Sequence, residues 1–290
     1  AVKVAEWTSG GEHTFTWNTN TTASPDGTYL VELSAKDKAG NLVEESLSVT
    51  VDNTVPTALI NTPLQGSFLR LSVLVNVTGS DANFDRMELR IGDTSVKTWT
   101  TAGSQIYEWK TNGIYSDGAH TVSLTVSDKA GNTKQIQVSV VVDNTAPTIE
   151  IPSWEPRTPS AQEEVNVTVK ISDNPMGSGV KSATLWYRNG TVRDWQQVLM
   201  IAVGENWTGT IPGQSGDSKV DFYIESSDNA GNIAEKGDYE FTAIMPAGFP
   251  LWLLALIILM ILAAIGATIY WARRRWKRAT GGVVSTPIPR

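Results

Sequence analysis

The chain has 290 residues, a net charge of −7 at pH 7 and no cysteine. Its length suits two or three domains of about 100 residues each. Because there is no cysteine, neither disulfides nor thiolate-bound metals can stabilise these domains, and each must depend on its apolar core or on bound ions. The first 250 residues carry 17 basic against 30 acidic groups, a net charge of −13 that would repel phosphate backbones and disfavours nucleic acid as a partner.

A sequence repeat recurs at an offset of 91 residues. Residues 26–41 (DGTYLVELSAKDKAGN) return as residues 117–132 (DGAHTVSLTVSDKAGN), and a looser copy covers residues 217–232. The motif VDNTxPT follows the first two copies, at residues 51–57 and 142–148. Because proline cannot donate to a strand ladder, these motifs predict boundaries between folded units.

Apolar and polar residues alternate within each copy, which predicts strands with one face on a core. The predicted inner-face residues are Tyr29, Val31, Leu33 and Ala35; His120, Val122, Leu124 and Val126; and Val220, Phe222, Ile224 and Ser226. Asp-x-Ala-Gly-Asn predicts a turn, since aspartate can accept backbone N–H bonds while glycine and asparagine tolerate positive φ. Short strands with frequent turns and no amphipathic helix predict β-sandwiches.

These motifs resemble the immunoglobulin-like repeats of bacterial and archaeal surface proteins. The domain that contains the third copy, with residues 173–180, 185–187 and 207–212, is also similar to fibronectin type III-like modules near the C-termini of archaeal exported proteins. The resemblance implies an all-β chain of tandem immunoglobulin-like β-sandwiches, to which the apolar segment near the C-terminus adds one transmembrane α-helix. It implies no particular activity, because such modules serve as spacers, adhesins and enzyme appendages.

Five segments follow from the repeat, the junctions and the composition. They are the C-terminal half of an Ig-like domain (1–53), an Ig-like β-sandwich (54–144), a divergent Ig-like or fibronectin III-like β-sandwich (145–245), a transmembrane helix with a short lead-in (246–272) and a basic cytoplasmic tail (273–290). Since the sequence opens in the middle of a unit, we expect the rest of that unit and an export signal upstream.

Residues 251–271 carry no charge, and as a helix they would be about 31 Å long, close to the hydrocarbon thickness of a bilayer. Interfacial aromatic rings and a basic flank predict a single-pass anchor in the lipid bilayer, with the N-terminal domains extracellular. The predicted interface and stop-transfer residues are Trp252, Tyr270, Trp271, Arg273, Arg274, Arg275, Lys277 and Arg278. The alternatives are a buried core helix and a sorting tail that is removed by processing.

Aspartates near the turns and the unit ends are candidate ligands for a structural Ca²⁺, the one cofactor that the sequence suggests. The candidates are Asp37, Asp128, Asp228, Asp81 and Asp173, with Asp52 and Asp143 near the unit ends. In related surface repeats, aspartates of this turn bind calcium. The alternative is that each aspartate only caps its own turn.

Five Asn-x-Thr sequons lie on the predicted outer side of the membrane. The candidate N-glycosylation sites are Asn20, Asn76, Asn166, Asn189 and Asn206. Asn76 and Asn166 fall at equivalent places in predicted strands. Because valines flank both residues, we expect these two asparagines to face outward.

The features together predict a membrane-anchored structural or adhesion protein of the cell surface, with other surface proteins or glycans as partners. An alternative is the non-catalytic C-terminal region of an exported, membrane-anchored enzyme, such as a protease or glycosidase. The 11 tryptophans also raise the possibility of a carbohydrate-binding module, although Trp17 and Trp109 are equivalent in the repeat and fit packing better. Since neither histidine is paired with a nucleophile in a recognisable motif, we expect no catalysis within this chain.

Overall fold

The structure is a computed structural model that describes residues 2–190, 194–245 and 251–280, without the side chains of 251–252 and 277–280. Within these residues the chain forms nineteen β-strands followed by one α-helix. The all-β prediction with a single C-terminal apolar helix is therefore confirmed.

The first unit, residues 2–53, contains an antiparallel hairpin of β1 (Gly27–Lys36) and β2 (Leu42–Val51). The predicted alternation is present, but the predicted burial is wrong: Val31 is 45% exposed and Leu33 is 57% exposed. The physical reason is that no second sheet lies over this face among the described residues.

The second unit, residues 54–144, is a sandwich of two sheets. Its strands are β3 (Thr57–Thr62), β4 (Phe68–Leu69), β5 (Ser72–Ser80), β6 (Phe84–Ile91), β7 (Thr94–Trp99), β8 (Gly103–Lys110), β9 (Gly118–Asp128) and β10 (Thr133–Val142). The sheet β3-β5-β8 faces the sheet β4-β10-β9-β6-β7. Inward side chains of both sheets form one core, in which Val75, Val77, Trp109, Leu124 and Val126 are completely buried.

The third unit, residues 145–245, is a second sandwich. Its strands are β11 (Thr148–Ile149), β12 (Ser153–Glu155), β13 (Val165–Ser172), β14 (Val180–Asn189), β15 (Gln196–Leu199), β16 (Ile201–Val203), β17 (Asn206–Ile211), β18 (Ser218–Asp228) and β19 (Ile233–Ala243). The sheet β11-β13-β17-β16, with β12 on β13, faces the sheet β15-β14-β18-β19. Val167, Leu185 and Phe222 lie in the shared core.

The helix α1 (Leu251–Thr280) has 30 residues, and its segment Leu253–Trp276 is long and apolar enough to cross a membrane. The most apolar stretch of this segment is not buried among the described residues, which is the opposite of what a core helix requires. The helix continues past residue 272, the predicted end of the membrane segment, because the arginine and lysine residues that follow are good helix formers. The side chains of Trp252, Lys277 and Arg278, the lead-in 246–250 and the tail residues 281–290 lie outside the described part.

Candidate metal centres at the unit junctions

In all three copies of the Asp-x-Ala-Gly-Asn turn, the asparagine donates to the aspartate carboxylate from both its backbone N–H and its side chain. At the end of β9, Asp128 Oδ1 accepts bonds from the backbone N–H of Gly131 and Asn132 at 2.7 and 2.8 Å. Gly131 adopts a φ of 100°, a conformation that glycine tolerates without steric strain. The side chain of Asn132 then donates to Asp128 Oδ2 at 2.8 Å. The aspartate therefore caps its own turn, as one of the two interpretations of the sequence expects.

The asparagine of the turn also reaches the preceding unit. Asn132 Nδ2 donates to the carbonyl of Asp52 at 3.0 Å, across the first junction. Asn232 Nδ2 donates to the carbonyl of Asp143 at 2.9 Å, across the second. Each of these bonds ties the end of one unit to a turn of the next.

The first junction brings three aspartates together: Asp52 after β2, Asp81 after β5 and Asp128 at the end of β9. One carboxylate oxygen of each lies within 4.8 Å of the others. Asn83 holds two of them, since its side chain donates to Asp52 Oδ2 at 2.7 Å and its backbone N–H to Asp81 Oδ1 at 2.8 Å.

The second junction repeats the arrangement with Asp143, Asp173 and Asp228, whose carboxylate oxygens also lie within 4.8 Å of one another. Asp143 and Asp228 are completely buried. The loop after β13 closes over the site, because the N–H groups of Ser178 and Gly179 donate to Asp143 Oδ2 and Asp173 Oδ2 at 2.7 and 2.6 Å. Like charges packed this closely repel one another.

Within the part of the chain that the structure describes, no lysine or arginine forms an ion pair with these carboxylates. Burial raises the pKa of Asp173, and the neighbouring charges of Asp143 and Asp228 also raise it, against two backbone hydrogen bonds. Burial also opposes ionisation of Asp128, but hydrogen bonds from Asn132 and the turn backbone hold its pKa below the ordinary value.

The donor set fits a hard divalent cation. Ca²⁺ takes oxygen ligands at about 2.3–2.6 Å, so that two oxygens on one ion lie no more than about 5 Å apart, which is compatible with the spacing in both triads. A carboxylate has about four lone-pair sites, so the hydrogen bonds described here leave acceptor capacity for an ion. The aspartates of each triad would supply ligands, and a bound cation would relieve their mutual repulsion.

The structure thus groups four of the five predicted calcium ligands, Asp81, Asp128, Asp173 and Asp228, with the two aspartates at the unit ends. It does not group Asp37, which bonds to its own Asn41 at 2.9 and 2.7 Å and is exposed. Hydrogen bonds from Asn41 lower the pKa of this carboxyl.

A second set of junction contacts went unrecognised in the sequence. Asp26 Oδ1 accepts from the N–H of Asn53, and Asp117 Oδ1 accepts from the N–H of Asn144, at 2.7 and 2.8 Å. The threonine after each asparagine donates its hydroxyl to the same aspartate. The signal was present in the sequence, because the Asp-Gly and Asp-Asn-Thr motifs recur together at the same separation in both copies.

The sequons lie at different places on the surface. Asn76 on β5 and Asn166 on β13 point away from the cores, as predicted from their flanking valines. Asn20 lies in an exposed loop and Asn206 opens β17. Asn189 ends β14, and the threonine of its sequon lies outside the described residues.

The aromatic rings mostly have packing partners. Trp109 is completely buried, and Tyr115 and His120 contact it edge-on. Trp186 lies nearly parallel to Tyr223, at 8°, as a half-buried cross-strand pair on the outer face of the third unit. Cross-strand pairing accounts for the parallel geometry of these two rings without a ligand.

The histidines are also held in local contacts. His13 stacks on Trp7 with ring centroids 5.1 Å apart, and its Nε2 contacts the carbonyl of Ser9 at 2.8 Å. His120 Nε2 contacts the carbonyl of Ser116 at 2.8 Å. These contacts give no positive indication of catalysis.

Antiparallel sandwiches stacked through equivalent junctions define a tandem immunoglobulin-like repeat protein. The chain belongs to the family of bacterial Ig-like domains (group 3), which matches residues 11–110 and 103–207. The matches begin at equivalent residues, Gly11 and Gly103, and each runs across a junction between units.

Similar solved structures include a tandem-domain segment from titin, 15% identical with a TM-score of 0.49, covering 78% of this chain and 77% of that one. The tetra-tandem repeat in the extending region of a large adhesion protein is 20% identical, with a TM-score of 0.36 and coverage of 77% and 58%. The FN1–FN3 domains of chicken CNTN1 are 12% identical, with a TM-score of 0.36 and coverage of 74% and 77%. Among curated proteins none matches the chain.

Proposed function

We propose that this protein is a membrane-anchored structural or adhesion protein of the cell surface, in which the Ig-like units form a stalk and α1 is the anchor. The observation that carries the proposal is the order of parts: two stacked sandwiches joined by a hydrogen-bonded junction, followed by one unburied apolar helix with a basic end. The lipid bilayer is then a partner of the chain.

The anchor is supported by its length and its flanks. The segment Leu253–Trp276 would extend about 36 Å, and its charge-free part, residues 253–272, would extend about 30 Å, enough to cross the hydrocarbon layer. Tyr270 and Trp271 are exposed near its end, where aromatic rings favour the interface. Arg273, Arg274 and Arg275 follow on the same helix, which favours a cytoplasmic C-terminal end.

The stalk is supported by the junction contacts. The second junction is linked by Asn232 to the carbonyl of Asp143, by Ser178 to the carboxylate of Asp143 and by Asn174 to Asp117, at 2.9, 2.7 and 3.2 Å. Met176 of the third unit packs against the second unit: a Cβ at Gly118 would lie 3.1 Å from its methyl carbon. Contacts of this kind restrict bending between neighbouring units.

The same proposal includes Ca²⁺ at both triads. In a chain without disulfides, an ion that binds only the folded junction stabilises it by about 2.7 kcal/mol at a free concentration one hundred times its Kd. The ligands would be Asp52, Asp81 and Asp128 at the first junction, and Asp143, Asp173 and Asp228 at the second.

Protease shaving of intact cells tests the anchor and its direction. In a chain with epitope tags at both ends, external protease should remove the N-terminal tag and leave the C-terminal tag attached to a membrane-embedded fragment. A C-terminal tag that is cleaved in intact cells, or a chain that alkaline carbonate extracts from the membrane, contradicts the proposal.

Thermal unfolding of the full chain in detergent tests the ion. We expect Tm to fall when EDTA replaces CaCl₂ and to recover when Ca²⁺ is restored in excess. Mg²⁺ at the same concentration is the control, because its smaller, strictly octahedral shell fits a carboxylate cage poorly. An unchanged Tm in EDTA means that the aspartates only cap their turns.

A further inference from the structure

We infer that Asn76 and Asn166 carry N-linked glycans, and that each glycan covers an apolar area on the outward face of its sandwich. The inference rests on the proposed function, since it requires the Ig-like units to lie outside the membrane. It selects two of the five sequons by their surroundings in the folded chain.

The two asparagines occupy the same place in the two sandwiches. Asn76 lies on β5 between the buried Val75 and Val77, and Asn166 lies on β13 between the buried Val165 and Val167. Since side chains alternate along a strand, the threonine of each Asn-x-Thr sequon shares the outward face with its asparagine. Both sequons therefore lie on the outward face of a sheet, where Asn166 is exposed and Asn76 is half-buried.

The amide groups are held in a way that leaves the attachment atom available. Asn76 Oδ1 accepts bonds from Asn61 Nδ2 and Ser104 Oγ, both at 3.0 Å. Asn166 Oδ1 accepts from Thr210 Oγ1 at 2.7 Å. Within the described residues, neither Nδ2 donates a hydrogen bond. A glycan on Nδ2 would therefore break none of the bonds that orient the amide.

Asn189 provides the contrast. Its Nδ2 donates to Gln214 Oε1 at 3.1 Å, so a sugar on that nitrogen would remove one of the two hydrogens that serve the contact. We therefore expect Asn189 to carry less glycan than Asn76 or Asn166.

Exposed apolar side chains surround the two outward asparagines. Ile106 is paired directly with Asn76 across the sheet and is 60% exposed, and Leu74, two residues along β5, is 61% exposed. Asn166 lines a surface depression together with Leu199 and Ile201, which are 70% and 68% exposed. Contiguous exposed apolar area of this kind promotes association unless something covers it.

A glycan suits this role because the C–H face of a pyranose ring packs on apolar side chains while its hydroxyl groups face water. In the attachment step, Nδ2 of asparagine forms a bond to C1 of the first sugar. The bond from C1 to a lipid-linked phosphate donor breaks, and one amide proton is released. The donor is a lipid-phosphate-linked oligosaccharide supplied by the cell.

Glycopeptide mass spectrometry of the full chain, purified from the membranes of the organism that makes it, tests the inference. We expect glycan on the peptides that contain Asn76 and Asn166, and lower occupancy at Asn189. Thr78→Val and Thr168→Val remove one sequon each while keeping the asparagine, and each should lose one glycan.

Self-association of the chain tests whether the glycan covers the apolar area around Asn76. Loss of the Asn76 glycan in Thr78→Val should raise self-association of the detergent-solubilised chain, and replacing Leu74 and Ile106 with serine in the same variant should reverse the rise. If Thr78→Val loses the glycan without any rise in association, the covering role is wrong.

Protease shaving of the same cells separates the inference from the proposed function. Units that lie outside the membrane but carry unmodified Asn76 and Asn166 overturn the glycan inference and leave the anchor in place. Units that are protected from external protease overturn both.

Discussion

The hairpin of the first unit and the corresponding hairpin of the second unit have similar sequences and opposite surroundings. Leu33 and Leu124 are equivalent in the repeat, yet Leu33 is 57% exposed and Leu124 is completely buried. The hairpins have the same register, from Gly27↔Val51 and from Gly118↔Val142. The difference shows that local pattern specifies the strand and its inward face, while burial depends on a second sheet that packs on that face.

The turns of the two hairpins also have similar sequences and different tertiary contacts. Asp37 and Asn41 bond to each other and to their own turn, while Asp128 and Asn132 also join a junction with the preceding unit. The comparison between the two hairpins therefore separates what a local motif contributes from what its tertiary setting adds. Matched substitutions at equivalent positions can measure each contribution.

The core leucine should give the largest difference. We expect Leu124→Ala to destabilise the second unit by about 2–5 kcal/mol, because it removes buried methyl groups and leaves a cavity. Leu33→Ala should change local stability by about 0.5 kcal/mol or less, as for an ordinary exposed substitution. Hydrogen exchange of the peptides that cover β1–β2 and β9–β10 in the full chain measures both. Equal effects would mean that the first hairpin is also covered in solution.

The turn aspartate should give the next largest difference, and only when Ca²⁺ is present. Asp128→Asn should lower the stability of the first junction by up to about 2.7 kcal/mol at an ion concentration one hundred times the Kd, through loss of a ligand. In EDTA, the loss of stability in the same variant should reflect only the altered hydrogen bonds of residue 128 with Asn132 and Gly131.

Asp37→Asn is the matched control, because Asp37 belongs to neither aspartate triad. We expect its effect on hydrogen exchange to be the same in Ca²⁺ and in EDTA. A calcium-dependent effect of Asp37→Asn, or an effect of Asp128→Asn that is equally large in Ca²⁺ and in EDTA, would contradict the assignment of the ligands.

The turn asparagine should give the smallest difference. Asn132→Ala removes one amide bond to Asp128 and one to the carbonyl of Asp52, and we expect a loss of about 1–2 kcal/mol of junction stability. Asn41→Ala removes a contact only to an exposed Asp37 and should affect nothing beyond its own turn. Hydrogen-exchange rates of the amides in residues 50–57 measure the stability of the junction. An unaltered rate in Asn132→Ala would show that the Asn132 side chain does not hold the units together.

Much of the fold followed from local patterns. The alternation in β9 predicted Val122, Leu124 and Val126 on the core side, and the valines around Asn76 predicted its outward position. The uniformly apolar, charge-free segment near the C-terminus predicted a single apolar helix. These features depend on neighbours within one strand or one helix, so the sequence contains the information directly.

The candidate metal centres could be predicted only as a set of residue types. The motif identified Asp128 and Asp228 as turn residues with carboxylates near unit ends. The spacing did not show that Asp37, in the same motif, belongs to neither aspartate triad. Asp81 lies 47 residues before Asp128, and Asp52 comes from the preceding unit, so their meeting depends on how two sheets and a junction pack.

The sequence by itself determined the strands, the turns, the apolar helix and the acidic residues at the unit ends, because each follows from the period and the chemistry of adjacent residues. The tertiary structure decided which alternating face is buried and which aspartates share a site. Both depend on contacts between segments far apart in the chain. A sheet buries its apolar face only when another sheet covers it. Carboxylates form a cation site only when folding brings them within a few ångströms of one another.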